Sequence, residues 1–225
     1  MTEIIAHRGT PREFPENTVL GFLRALELGA DGVELDVHGT GDGVAVVHHD
    51  PVLGAGHGRP GAAIRQMTYA EVRGYPLADG TAVPTLVEVL LAIGGRATVY
   101  VETKAHDIER SVVACIAQAG ATGWCAIHSF DHRASRHVRA IAPSMPTGIL
   151  VSSYLIDPAR ALRAAGARDY WQQWEEIDDA LVLAVHEAGG RVVAWTVNDS
   201  QQGARLAALG VDALCTDVCK EFRAK

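Results

Sequence analysis

Short polar triplets interrupt the apolar runs of this chain: His7-Arg8-Gly9, Glu34-x-Asp36, His48-His49-Asp50 and Glu102-x-Lys104. In an extended strand, residues two apart share a face, so Glu34 and Asp36 must point together, as must Glu102 and Lys104. Carboxylates turned into a layer of packed helices would lose their hydration without compensation, so the shared face must be a polar interior. Three converging carboxylates (Glu34, Asp36 and Glu102) repel one another unless a cation lies between them. Such an all-oxygen donor set suits Mg²⁺ or Ca²⁺ better than zinc or copper. The same acids can also be spent in buried ion pairs, for example Glu34 with Arg8. The pattern admits both readings.

Histidine is the side chain that titrates near neutral pH, and of the ten present, His7 and His49 are the acid–base candidates. For His7 a satisfied core histidine is the competing reading. His38 and His48 flank the same region and stay open. His57, His106, His132, His137 and His186 read as surface residues of helices and loops. Cys215 and Cys219 are four apart, but no second Cys/His pair has matching spacing, so zinc is not indicated.

The elements that must carry these groups alternate. β-Branched runs at 4–7, 32–37, 98–104, 125–130, 147–151, 167–174, 191–197 and 213–216 read as strands. Between them lie segments of helical period at 18–28, 86–93, 108–119, 131–141, 158–165, 178–188 and 200–209. Several helices run into a glycine (Gly29, Gly120, Gly166, Gly189, Gly210), a common helix stop. Repeated β-α alternation implies a parallel sheet, and eight strands with short crossovers predict a closed (β/α)8 TIM barrel. An open doubly wound sheet is the alternative, but no G-x-G-x-x-G turn follows the first strand.

Residues 39–84 break the rhythm. Thr40-Gly41-Asp42-Gly43 is turn chemistry, and Val44–His49 reads as a further strand. A small hairpin and cap, inserted after strand two on the face where barrel loops carry chemistry, is therefore expected, with a mobile Gly-rich loop over 54–61. No stretch has linker character, so residues 1–225 read as one domain.

The chain has 225 residues and a net charge of −7, and no basic run anywhere. Nucleic acid and anionic membranes demand clustered Lys/Arg, so neither is an expected partner. Lysine occurs only at 104, 220 and 225. No apolar run approaches the roughly 18 residues of a membrane span. The N-terminus lacks signal-peptide character, so a cytoplasmic protein with reduced cysteines is expected. Oligomeric state is not readable.

Taken in order, His7-Arg8-Gly9, Pro15-Glu16-Asn17-Thr18, Glu34-x-Asp36-Val37, Asp42-Gly43, Val46-Val47-His48-His49-Asp50, Pro84-Thr85-Leu86, Glu102-x-Lys104 and Trp195-Thr196-Val197-Asn198 resemble the glycerophosphodiester phosphodiesterase family over essentially the whole chain. The resemblance implies a TIM barrel with a small insertion. It also implies hydrolysis of small glycerophosphodiesters to glycerol 3-phosphate and an alcohol with a divalent cation, a reaction of lipid and glycerol metabolism. It makes Glu34, Asp36 and Glu102 the metal ligands and His7 and His49 the general acid/base pair. Arg8 and Lys104 would hold the phosphate, and Trp195 would contact the glycerol or the apolar wall. Asn17 or Thr18 is expected to cap the first helix, with Glu16 orienting Arg8. After His49-Asp50 the chain departs from the family pattern at Gly54-Ala55-Gly56-His57-Gly58-Arg59, which bears on the leaving group. Trp174 and Trp195 are expected to line the pocket, and Trp171 to pack in the core. A lyso-lipid phospholipase D activity and a silent phosphodiester-binding barrel are the competing functions. The first would need an exposed apolar or basic membrane-facing surface, and the second the loss of a ligand or histidine.

Overall fold

Eight parallel strands close on themselves in this computed structural model, which describes residues 2–54 and 61–223. They are β1 (Glu3–His7), β2 (Gly32–Gly39), β6 (Thr98–Thr103), β7 (Cys125–Ser129), β8 (Thr147–Val151), β9 (Asp169–Gln173), β10 (Arg191–Trp195) and β11 (Ala213–Thr216). Neighbours pair in that order and β11 pairs back to β1, which leaves the barrel no open edge. The chain therefore forms the TIM barrel that the β-α alternation implies.

The strand pleat sorts the residues. Ile5, Tyr100, Ala126, Leu150, Trp171, Val193, Ala213 and Cys215 fill the barrel's interior. Their neighbours, among them Ile4, Ala6, Val33, Leu35, Val99, Val101 and Val192, face the helix layer. That layer is α1 (Val19–Glu27), α3 (Leu86–Ile93), α4 (Glu109–Gln118), α5 (His132–Ile141), α6 (Pro158–Ala165), α7 (Asp179–Glu187) and α8 (Ser200–Ala208). Most helices start on a side-chain cap; Thr85 and Glu88 form a capping box on α3, and Asp157 caps α6 just before its Pro158. At the N-terminal end of the barrel, Arg191 donates to Glu3 at 2.5 Å, and the Tyr100 hydroxyl donates to Glu3 at 2.8 Å. This half-buried network closes the end of the barrel opposite the chemistry.

The segment between β2 and α3 is the expected insertion. β3 (Ala45–Val47) runs antiparallel to the end of β2, with Val37 opposite Val47. β4 (Val52–Leu53) and β5 (Ala62–Ala63) form a second small hairpin, and α2 (Tyr69–Val72) follows. Val46, Leu53, Ile64, Met67, Val72 and Val83 give this cap its own apolar core. The third strand stops at Val47, earlier than the sequence suggests, so His48 and His49 lie on the turn beyond it. The Gly-rich loop expected over 54–61, and His57 with it, lies outside the described residues except at its two ends.

Candidate active site

Leaving β1, the chain turns so sharply that Arg8 and Gly9 both adopt left-handed backbone, with φ of 54° and 88°. A Cβ on Gly9 would stand 2.8 Å from the backbone carbon of Gly21 in α1, so only glycine lets the helix approach there. Thr18 accepts from the Gly21 amide and caps α1. Asn17 does not cap. It is buried at φ 60°, donates from Nδ2 to Asp36 Oδ2 at 2.9 Å, and accepts the Asp36 amide on Oδ1 at 3.2 Å. A left-handed residue whose side chain grips a strand end cannot also start the helix.

Barrel register then stacks the polar residues. His7 lies opposite Glu34, Asp36 opposite Glu102, and Glu102 opposite His128. Arg8 reaches Asp36 Oδ2 through Nε at 3.1 Å and Glu16 through Nη1 at 3.1 Å, so Glu16 does orient Arg8. Lys104 Nζ lies 2.9 Å from Glu102 Oε1 and 3.4 Å from Asp36 Oδ1. Three buried carboxylates thus face two cations. Burial, reinforced by the charges of Asp36 and Glu102, pushes Glu34 well above the ordinary carboxylate range. Burial, and then Asp36, pushes Glu102 up to about 7 against the pull of Lys104. Burial also raises Asp36, but Arg8, Lys104 and Asn17 outweigh it and hold it low. The cluster is short of positive charge at Glu34 and Glu102, the condition that a bound cation relieves.

The donors that meet at metal-ligand spacing among the described residues are Glu34, Glu102 and His128, whose ligand atoms all lie within 4.8 Å of one another. Asp36, expected with the two glutamates, sits beside them, with Oδ2 committed to Arg8 and Asn17. Its Oδ1 faces Lys104 without a hydrogen bond. His128 was not singled out by the sequence reading. The signal that finds it is parity: it shares a barrel-facing register with Glu102 on the neighbouring strand.

His7 is held by a residue that the sequence reading also missed. Its Nδ1 is 2.7 Å from Asp217 Oδ1, just beyond β11, which turns Nε2 toward Glu34 at 3.9 Å. Asn198 donates to Asp217 Oδ2 at 2.7 Å and accepts the Asp217 amide at 2.9 Å. Burial raises the Asp217 carboxyl, but the bond and charge of His7, with Asn198, hold it below the usual range. His49 is half-buried and pairs through Nδ1 with Asp50 Oδ1 at 2.7 Å. His38 settles as a support: its ring meets the His49 carbonyl at 2.9 Å, and burial lowers its basicity.

These groups line one cavity of about 150 Å³ at the C-terminal mouth, with His7, Arg8, Glu34, His49, Glu102 and Lys104 on its polar side. Trp195 and Phe130 form an apolar wall, ring edge to ring face at 5.6 Å. Trp171 lies on the cavity floor, buried and stacked on His128, whereas Trp174 packs in the outer layer. Trp171 packs in the core as expected, with one side on the cavity floor, whereas Trp174, expected to line the pocket, does not. β9 ends at Gln173, so Trp174 has already left the barrel.

A TIM barrel whose C-terminal mouth joins carboxylates, two histidines and two cationic side chains has the groups that a phosphoric diester hydrolase needs. Residues 7–221 match the glycerophosphoryl diester phosphodiesterase family, and the chain belongs to that family. A glycerophosphodiester phosphodiesterase of Caldanaerobacter subterraneus subsp. tengcongensis is 32% identical over 96% of this chain and 94% of its own. The crystal structure of a glycerophosphodiester phosphodiesterase from Agrobacterium tumefaciens superposes with a TM-score of 0.86 at 27% identity, covering 100% of both chains. A phosphodiesterase of Oleispira antarctica, solved with the product sn-glycerol-3-phosphate, shares the fold at 24% identity and a TM-score of 0.87 over 99% of this chain and 96% of its own.

Proposed function

We propose that this enzyme hydrolyses small glycerophosphodiesters to glycerol 3-phosphate and an alcohol, with His7 and His49 as the general acid/base pair. The observation that carries the reading is the convergence of both histidines, Arg8, Lys104, Glu34 and Glu102 on one cavity. Glu34, Asp36 and Glu102 would hold a divalent cation, and a set of carboxylates alone would favour Mg²⁺ or Ca²⁺. When bound, that cation supplies Lewis-acid charge at the phosphoryl oxygens.

The remaining work falls to the chain's own groups. Arg8 and Lys104 neutralise the diester, and stabilise the charge that attack at phosphorus adds to the equatorial oxygens. Both are tied to the carboxylates here, so they stay pre-aimed at the mouth. One histidine removes the proton of the nucleophile, which is water or the substrate's neighbouring hydroxyl, and the other protonates the leaving alkoxide. Asp217 and Asp50 fix which nitrogen of each ring is free for that transfer. Trp195 and Phe130 offer the glycerol carbons an apolar wall.

The alcohol leaves toward a groove of about 810 Å³ beyond Lys104, lined in part by His38 of β2, by Val52 and Arg65 of the cap, and by His106 and Ile108 before α4. Leaving-group preference is therefore a property of the inserted segment. No helix among the described residues is long and apolar enough to cross a membrane. With no basic run to hold an anionic surface, a small diluted diester in the cytoplasm suits the site better than a lyso-lipid or nucleic acid.

Phosphorus NMR of glycerophosphocholine turnover tests the reading. Wild type is expected to yield glycerol 3-phosphate and choline. His7→Ala and His49→Ala are each expected to lower kcat by about 10² to 10⁴ with the fold intact. Unchanged turnover in either variant overturns the assignment.

A further inference from the structure

Among the described residues, a few buried polar atoms around the mouth lack a hydrogen bond, Asp36 Oδ1 and Trp195 Nε1 among them, and His128 adds an imidazole nitrogen to these. It is buried on β7, its Nδ1 has no hydrogen-bond partner, and its Nε2 lies 3.8 Å from Glu34 Oε1. That spacing is too long for a hydrogen bond. It is the spacing of two donors in one coordination shell, since atoms bonded at about 2.1 Å to a common ion stand about 3 to 4 Å apart.

The ring's placement is built into three strands. His128 lies in register with Glu102 on one side and Gly148 on the other. Its face stacks on Trp171, with ring centroids 4.2 Å apart and planes 9° from parallel. A Cβ at Gly148 would meet Trp171 Nε1 at 2.9 Å and His128 Cβ at 3.1 Å, so the stack exists only because β8 carries glycine at that point. The stack fixes the ring plane and leaves its edge toward Glu34 and Glu102.

We propose that His128 is a nitrogen ligand of the cation held by Glu34 and Glu102, and that this site therefore takes a first-row transition ion (Mn²⁺, Co²⁺ or Zn²⁺) in preference to Mg²⁺ or Ca²⁺. This rests on the metal-assisted reading above and refines it, because carboxylates alone would select the harder ions. Imidazole is a borderline donor that binds Co²⁺ or Zn²⁺ far better than it binds Ca²⁺. His7, the other imidazole near Glu34, is turned by its bond to Asp217 and serves as the control.

The test loads metal-free full-length protein with Mn²⁺ and reads nitrogen coupling by pulsed EPR, alongside calorimetric titrations with Co²⁺, Mg²⁺ and Ca²⁺. Wild type is expected to show a ¹⁴N coupling that persists in His7→Gln and disappears in His128→Gln. Co²⁺ binding should weaken about 100-fold in His128→Gln while Mg²⁺ and Ca²⁺ binding change less than about threefold. The wild-type spectrum stands by itself should His128→Gln fold poorly. Cation binding that Glu102→Gln abolishes, but without ¹⁴N coupling and with Mg²⁺ or Ca²⁺ preferred, overturns this inference and leaves the metal-assisted reading intact. No cation uptake at all overturns both.

Discussion

Replacing Asp217 with asparagine removes one charge and leaves the shape almost unchanged, which makes it a sharp probe of how His7 is held. In the wild type, Oδ2 must accept from Asn198 Nδ2 at 2.7 Å, while Oδ1 faces His7 Nδ1, also at 2.7 Å. An asparagine has one acceptor oxygen. Asn198 is fixed as a donor on that side, because its own oxygen already accepts the residue-217 amide and the Thr216 hydroxyl. The new carboxamide must therefore turn its oxygen to Asn198 and its NH2 to His7. His7 is then driven into the tautomer with its proton on Nε2, the wrong atom for a base at the mouth. The lost charge-assisted bond is worth about 1.5 to 3 kcal/mol, which corresponds to about 10- to 150-fold in kcat. The assay is steady-state release of glycerol 3-phosphate from glycerophosphocholine, with KM changing by less than about threefold because Asp217 is on the far side of His7 from the substrate. A variant with wild-type kcat would refute the positioning of His7 by Asp217, and with it the acid–base role of His7.

Other consequences follow from the same contacts. Asn17→Ala strands two Asp36 contacts in a buried site and puts alanine at a left-handed φ that asparagine tolerates better. It should cost about 3 kcal/mol in urea unfolding, of which Asn17→Gly recovers about 1; a loss below about 1 kcal/mol would contradict the role given to Asn17. Gly9→Ala should lose at least about 2 kcal/mol by the same assay, since its Cβ meets α1 backbone rather than a movable side chain. Glu102 is held near 7 by burial and by Asp36, so the metal-free fold keeps a proton that the unfolded chain has released. Metal-free stability should therefore fall as pH rises from the ordinary carboxylate range toward about 7, and an added cation should restore it with proton release visible by calorimetry in two buffers. Cation affinity that does not change with pH below about 7 would count against the buried glutamate as a ligand.

The fold was legible because its rules are local. Apolar periodicity, glycine after helices and side-chain caps mark each β-α unit, and strand parity alone turns Glu34, Asp36, Glu102 and Lys104 inward. What stayed hidden depends on closure. Asp217 is 210 residues from the histidine it orients, and no spacing rule links them until β11 pairs with β1. His128, within a strand of buried residues, looks like packing until register sets it beside Glu102. Asn17 has the composition of a helix cap, and only its left-handed backbone sends its side chain to Asp36 instead. Trp174 misses the pocket because its strand ends one residue earlier, at Gln173.

The central claim is that this mouth cleaves a glycerophosphodiester with a bound divalent cation. Its most direct test is glycerophosphocholine turnover by one preparation before chelation, after chelation and after the cation is returned. The account predicts a fall of at least about 100-fold on chelation and recovery on readdition. Turnover that survives complete removal of the cation would contradict it.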